Sequence, residues 1–163
     1  VPKYSAKIKA AVMTASDSRH ADDDVSGTTL VGLLIAMGAE VVTRRIVTDD
    51  LETIKETLVE LSTRDDINLV LTTGGTGFSP RDNTPEATRA VVEREAPGIA
   101  EAIRRETARA TPMAMLSRGV AGIRGNTLVI NFPGSPKAVT ECFEVVRPIL
   151  AHAIDLISGE AGH

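Results

Sequence analysis

Gly74, Gly75 and Gly77, interrupted only by Thr76, follow the apolar run Leu71-Thr72-Thr73 and precede Phe78-Ser79-Pro80-Arg81-Asp82-Asn83-Thr84-Pro85-Glu86-Ala87. A strand, a glycine turn, an Arg-Asp pair and a helix start in that order suit holding phosphates, because glycine lets the main chain approach a ligand closely and aim its amides at an anion. The spacing excludes two commoner nucleotide motifs. No Gly-Lys-Ser/Thr follows, as a Walker loop requires, and the last glycine of the dinucleotide fingerprint is absent. A purely structural strand-to-helix turn fits the same glycines.

Two carboxylates stand in loops of the same kind, Asp49 beside Asp50 and Asp82 beside Arg81. If those loops adjoin, the pair can hold Mg²⁺ against triphosphate oxygens, the usual way proteins bind this ion. Helix capping is the competing assignment, with Asp49 and Glu52 spaced as a capping box and Asp82 close to Thr84. Arg81 and Lys137 supply positive charge beside turns, and helix starts near Thr84 and Ser135 add amides and the positive end of a helix dipole. Ser117, Arg118 and Ser135 can hydrogen-bond a polar ring, although loop serines more often cap or turn. His20, His152 and His163 show no ligand spacing and read as surface residues. Cys142 lies on an apolar helical stripe and reads as core.

The elements that must position these groups alternate. Lys7 to Ala15 reads as a strand running into the Asp-rich loop Ser16 to Gly27. A helix from Thr28 to Met37 follows, with Gly38 at its C-terminal cap. A strand over Glu40 to Val47 then leads into a helix from Leu51 to about Ser62, and a strand over Ile67 to Thr73 enters the glycine turn. Thr84 reads as the N-cap of a helix with Pro85 at its first position, continuing to about Glu95, and Pro97 restarts a helix through Arg109. Ser117 to Ile123 and Asn126 to Phe132 flank Arg124-Gly125 as a hairpin. A last helix follows Pro136, with Pro148 expected to kink or restart it.

Strand and helix in alternation point to an α/β sandwich with a mostly parallel sheet, formed by residues 1–163 as one domain. Ser16-Asp17, Asp49-Asp50, Gly74 to Asp82 and Pro133 to Lys137 all follow carboxyl ends of strands, the edge where open parallel sheets bind ligands. Four separated loops can thus line one crevice.

Composition narrows the partners. The chain has 163 residues, 42% of them hydrophobic, so no disulfide or metal staple is needed for a core. A net charge of −4, with three Phe, one Tyr and no Trp, excludes a generic nucleic-acid binder and an aromatic stacking platform. No apolar run reaches the roughly 18 residues of a membrane span. A single cysteine cannot form an internal disulfide framework or thiolate cage, which is compatible with a reducing compartment. The first residues read as a strand rather than a signal peptide.

Taken together, Thr72-Thr73-Gly74-Gly75-Thr76-Gly77, Arg81-Asp82-Asn83-Thr84-Pro85-Glu86-Ala87, Leu116-Ser117-Arg118-Gly119-Val120-Ala121-Gly122 and Pro133-Gly134-Ser135-Pro136-Lys137-Ala138 closely resemble the molybdopterin adenylyltransferase (Mog/MoaB) family, whose domain also occurs in gephyrin and plant molybdenum-cofactor proteins. The resemblance covers essentially the whole chain. It implies the three-layer fold, a homotrimer in the cytoplasm, and adenylylation of molybdopterin by Mg-ATP with release of pyrophosphate, ahead of a molybdate-insertion protein. It makes Asp49 and Asp82 the functional acids and metal ligands. Ser16, Asp17, Gly74, Gly75, Thr76, Gly77, Arg81, Ser117, Arg118, Pro133, Gly134, Ser135 and Lys137 become nucleotide or pterin contacts. The loop from Ser16 to Gly27 departs from the pattern by lacking a central glycine, and the alternative within the family is a non-catalytic molybdopterin-binding or scaffold protein.

Overall fold

Seven residues from Lys9 to Ala15 form β1, buried on both faces, and such near-continuous burial is what a parallel strand covered by helices on both sides demands. The computed structural model describes residues 7–159. After β1 come α1 (Val25–Ala36), β2 (Glu40–Val47), α2 (Leu51–Thr63), β3 (Leu69–Thr73), α3 (Thr84–Val91), β4 (Arg94–Glu95), α4 (Pro97–Thr107), a 3-10 turn (Pro112–Leu116), β5 (Ala121–Arg124), β6 (Thr127–Phe132) and α5 (Pro136–Ser158). The strands form one sheet in the order β2-β1-β3-β6-β5-β4. β2, β1, β3 and β6 run parallel, while β5 pairs antiparallel with β6 and β4 antiparallel with β5.

Side-chain parity along the strands divides the core in two. Ala10, Val12, Leu69, Leu71, Leu128 and Ile130 pack against apolar residues of α1, α4 and α5. Their neighbours Ala11, Met13, Val70 and Val129 turn the other way, onto Ile54, Leu58 and Leu61 of α2 and Ala87 and Val91 of α3. The arrangement is the three-layer α/β/α sandwich. Cys142 belongs to the first cluster, 2% exposed, and burial pushes its thiol up to about 12.

Several boundaries differ from the sequence expectation, each for a local reason. α1 starts at Val25 rather than Thr28, because Asp24 caps it by accepting from the Gly27 amide at 3.1 Å. The N-cap of α3 is Asn83, one residue before Thr84. α3 stops at Val91 rather than near Glu95, since Glu93 N–H and Ala96 N–H donate to the carbonyls of Ile123 and Ala121 and commit the intervening chain to the sheet edge. α4 ends at Thr107, and the expected strand from Ser117 pairs only from Ala121. The hairpin turn falls on Gly125-Asn126, with Gly125 at φ +56°. Pro148 neither ends nor restarts α5; it and Glu144, whose carbonyl it cannot satisfy, lie on the exposed face, where water can serve that carbonyl. Gly38 caps α1 as expected, at φ +92°.

Asp24 ties the first layer together. Its carboxylate is 1% exposed, accepts from Thr14 Oγ1 at 2.6 Å and pairs with Arg44 Nη2 at 3.0 Å. Burial alone would raise this carboxyl, but hydrogen bonds from Thr14, Arg44 and Gly27 outweigh it and hold the group below its usual 3.8. Removing the carboxylate by Asp24→Ala strips a cap, leaves Thr14 Oγ1 without its acceptor and leaves Arg44 only the carbonyl of residue 24, so urea unfolding at neutral pH should show a loss of about 3 kcal/mol. Because the folded-state value is depressed, that advantage of the parent chain is present above pH 3.8 and disappears as the pH falls below it.

Candidate active site

The ends of β1 and β2 are locked together by two acids. Asp17 N–H donates to Asp49 Oδ2 and Asp49 N–H donates to Asp17 Oδ1, both at 3.0 Å. Arg81 then reaches across from the glycine loop and binds Asp17 with two hydrogen bonds, at 2.9 and 3.0 Å. Asn83 donates to the Asp49 carbonyl at 2.8 Å. Three loops far apart in sequence are thereby fastened into one rim. Ser16 serves the same rim from inside its loop, its Oγ accepting from the amides of Ser18 and Arg19.

Neither acid is a helix cap. Asp50, not Asp49, caps α2, accepting from Thr53 N–H at 2.9 Å and Thr53 Oγ1 at 2.8 Å, which leaves the Asp49 side chain uncommitted to the helix. Asp82 closes the tight turn after the glycines: its Oδ2 accepts from Ser79 N–H at 2.9 Å, and its own N–H donates back to the Ser79 carbonyl. Asp49 Oδ1 is buried with no partner among the described residues. Its carboxyl is pushed above the ordinary range, chiefly by burial and then by the charges of Asp17 and Asp82, against the opposing Asp17 amide and Arg81. Asp17, bonded to Arg81, is held below that range. The loops carrying Asp49 and Asp82 therefore adjoin.

Beside the rim lies a cavity of about 480 Å³. Gly75, Thr76, Gly77 and Asp82 line one side, Pro133, Gly134 and Ser135 another, with Ser117 between them and Met113, Leu116 and Ile103 supplying apolar wall. The Gly74 amide is spent on the Phe132 carbonyl at 3.1 Å, but those of Gly75, Thr76 and Gly77 meet no acceptor among the described residues. Three successive amides of this cavity-lining stretch, rather than four, are thus left free to donate to an anion. Gly74 turns the chain at φ +93°, where a Cβ would stand 2.5 Å from the Ala15 carbonyl oxygen, so no other residue makes this turn without displacing β1.

The cations behave differently from expectation. Arg81 is not available to phosphate in this state, being paired with Asp17. Arg118 is a clamp: Nε donates to the Gly77 carbonyl at 2.7 Å, Nη2 to the Asp82 carbonyl at 2.8 Å, and Nη1 pairs with Glu86 at 2.6 Å. Lys137 is exposed and outside the cavity lining. His20 and His152 are exposed, and His163 lies outside the described residues. Two arginines that sequence reading missed are engaged here. Arg19 and Ser26 both donate to the Gly134 carbonyl, at 3.1 and 2.6 Å, and Arg104 donates to the Gly119 carbonyl at 2.7 Å while lining the cavity. One stands in an irregular loop and the other on an ordinary amphipathic helix, where neither spacing nor motif distinguishes a tether from a solvated charge.

Residues 11–152 match the family model described as probable molybdopterin binding domain. The chain belongs to the molybdopterin-binding domain family. It is 39% identical over 152 residues to a Helicobacter pylori protein named molybdopterin adenylyltransferase, a match covering 91% of this chain and 86% of that protein. It is also 43% identical over 152 residues to the molybdenum cofactor synthesis protein cinnamon of Drosophila melanogaster, covering 91% of this chain but only 25% of that longer protein. Among solved structures, the molybdopterin biosynthesis enzyme MoaB of Thermus thermophilus superposes with a TM-score of 0.86 at 43% identity, over 93% of this chain and 97% of that one.

In this molybdopterin-binding domain no group of three His, Cys, Asp or Glu side chains converges on a metal position among the described residues. Asp49 still presents an oxygen with no partner among the described residues and a carboxyl that burial, and then neighbouring negative charge, makes costly to ionise, so a cation arriving with its own phosphate oxygens fits the donor set. The same strain predicts a stability change. Asn at position 49 keeps an acceptor for the Asp17 amide and removes the charge, so Asp49→Asn should unfold at higher urea than the parent at neutral pH. The gain should shrink as the pH falls through the raised Asp49 value, where the parent takes up a proton; calorimetry across that range reads the effect.

Proposed function

We propose that this domain is a molybdopterin adenylyltransferase that works in molybdenum cofactor biosynthesis, transferring AMP from Mg-ATP to the terminal phosphate of molybdopterin. A phosphate oxygen of molybdopterin forms the new bond to the α-phosphorus, the bond to the β-phosphate oxygen breaks, and pyrophosphate leaves. The observation that carries this reading is the meeting, at one sheet edge, of an under-satisfied Asp49, its neighbour Asp82 and a cavity floored by three unoccupied amides. Relatives named as this enzyme support it.

Reactions of this class ask the protein for positioning and charge neutralisation rather than covalent work. Asp49 and Asp82 would hold Mg²⁺, which when bound neutralises charge on the ATP phosphates. The Gly75, Thr76 and Gly77 amides hold an anionic oxygen, and Ser117 and Ser135 offer hydroxyls to polar edges of pterin or adenylate. Arg118 keeps the glycine loop and Asp82 in fixed relation. Pairing of Arg81 with Asp17 offsets part of the repulsion between two neighbouring acids before a cation arrives. On this reading the protein acts in the cytoplasm as a homotrimer and hands its adenylylated product to a molybdate-insertion protein.

Incubation with molybdopterin, ATP and Mg²⁺ should yield pyrophosphate and an adenylylated pterin. Asp49→Asn and Asp82→Asn should each lower that turnover by about 100-fold or more while leaving the circular dichroism spectrum unchanged. Pterin binding without pyrophosphate in the parent protein would make the domain a carrier rather than an enzyme, and full turnover in both variants would remove the two acids from the mechanism.

A further inference from the structure

Thr84 is fully buried, yet its hydroxyl has no hydrogen-bond partner among the described residues. Its main chain is occupied, the N–H donating to the Gly75 carbonyl at 3.1 Å and the carbonyl accepting from Thr88 Oγ1 at 2.8 Å. Other buried threonine hydroxyls around the site are engaged: Thr14 on Asp24, Thr73 on the Pro133 carbonyl, Thr72 accepting from Asn131. An idle buried hydroxyl is costly and calls for a partner.

The partner is adjacent. A Cβ placed on Gly75 would collide with Thr84 Oγ1 and stand 3.3 Å from Asp49 Oδ1, so both unpartnered oxygens face the same side of one glycine. One is a donor without an acceptor and the other a carboxylate oxygen without a donor. Position 75 must lack a side chain for them to approach. Asp49 is already fixed on its other side, where Oδ2 accepts from the Asp17 amide and its carbonyl from Asn83.

We propose that Thr84 is a positioning residue for Asp49: its hydroxyl donates to Oδ1 beside Gly75, directly or through one water, and so fixes the plane of the carboxylate, whose remaining lone pairs on both oxygens stay open to a cation. Carboxylates that hold a metal are as a rule themselves oriented by such a hydrogen bond. The inference rests on Asp49 being a cation ligand, as proposed above. It adds the reason why a threonine, rather than any other helix-starting residue, stands at position 84.

Thr84→Val removes the hydroxyl and keeps the shape, whereas Thr84→Ser keeps the hydroxyl. Mn²⁺ binding in the presence of ATP, followed by electron paramagnetic resonance without turnover, should weaken about 10-fold in Thr84→Val and stay within about twofold of the parent in Thr84→Ser. Asp49→Asn serves as the reference for the site. Parent-like binding in Thr84→Val alongside loss in Asp49→Asn would overturn the inference and leave the role of Asp49 standing. Parent-like binding in Asp49→Asn would instead remove Asp49 as a ligand, and the inference with it. Should Thr84→Val not fold, a crystal structure of the parent decides: Thr84 Oγ1 beyond about 3.5 Å of Asp49 Oδ1 with no shared water overturns it.

Discussion

The close approach of main chain to main chain at Gly74 and Gly75 is the constraint on which the rest of the site depends. A side chain at Gly74 would strike the last carbonyl of β1, and one at Gly75 would occupy the space shared by Asp49 and Thr84. Gly134 lies against Gly74, where a Cβ would make ordinary contact at 3.4 Å from its Cα. Only because Gly74 and Gly75 are bare can the loops after β1, β2, β3 and β6 meet at one point. Positive φ at Gly74 and Gly75 then turns the chain away from β3 and brings Gly75, Thr76 and Gly77 to the cavity wall.

Around that junction the protein uses its polar groups as tethers before it uses them as contacts. Arg118 holds Gly77 and Asp82, Asn83 holds the Asp49 backbone, and Arg19 with Ser26 holds Gly134. Asn131 does the same beneath the site, donating to Thr72 and Thr88 at 3.0 Å each and accepting from the Val120 amide, so that β3, β6 and α3 move as one. Such bonds cost conformational freedom in advance, which is what a reaction governed by positioning requires. The strain that remains is concentrated on Asp49. Stability and function pull in opposite directions there, since the charge that burial resists is the one a cation would use.

Much of the fold was legible in one dimension. Alternating strands and amphipathic helices indicated the α/β sandwich, because burial on both sheet faces demands continuous apolar strands and helices with one apolar side, and the family resemblance supplied the three layers. The misplaced boundaries share a cause. Asn83 and Asp50 took the caps assigned to their neighbours Thr84 and Asp49, and Asp24 opens α1 three residues ahead of the expected Thr28, since local propensity cannot choose between nearby capping residues. β4 was missed because Arg94-Glu95 is two polar residues with no periodicity, made a strand solely by the edge of β5.

The candidate site divides along the same line. The residue types, the glycine spacing and the placement of every loop after a strand were set in the sequence, since they depend on local geometry and on the chirality of strand–helix–strand units. Which groups end up spent and which remain open was decided by tertiary structure. Arg81 and Arg118 look alike as loop cations, yet one neutralises Asp17 and the other clamps the backbone. Asp49 and Asp82 look alike as loop acids, yet one closes a turn and the other is left with a buried, unpaired oxygen. The Asp82 turn closes over three residues, but hydrogen bonds between residues 32 to 64 positions apart make the Arg81, Arg118 and Asp49 assignments, and partners at such separations leave no periodicity or spacing in the chain.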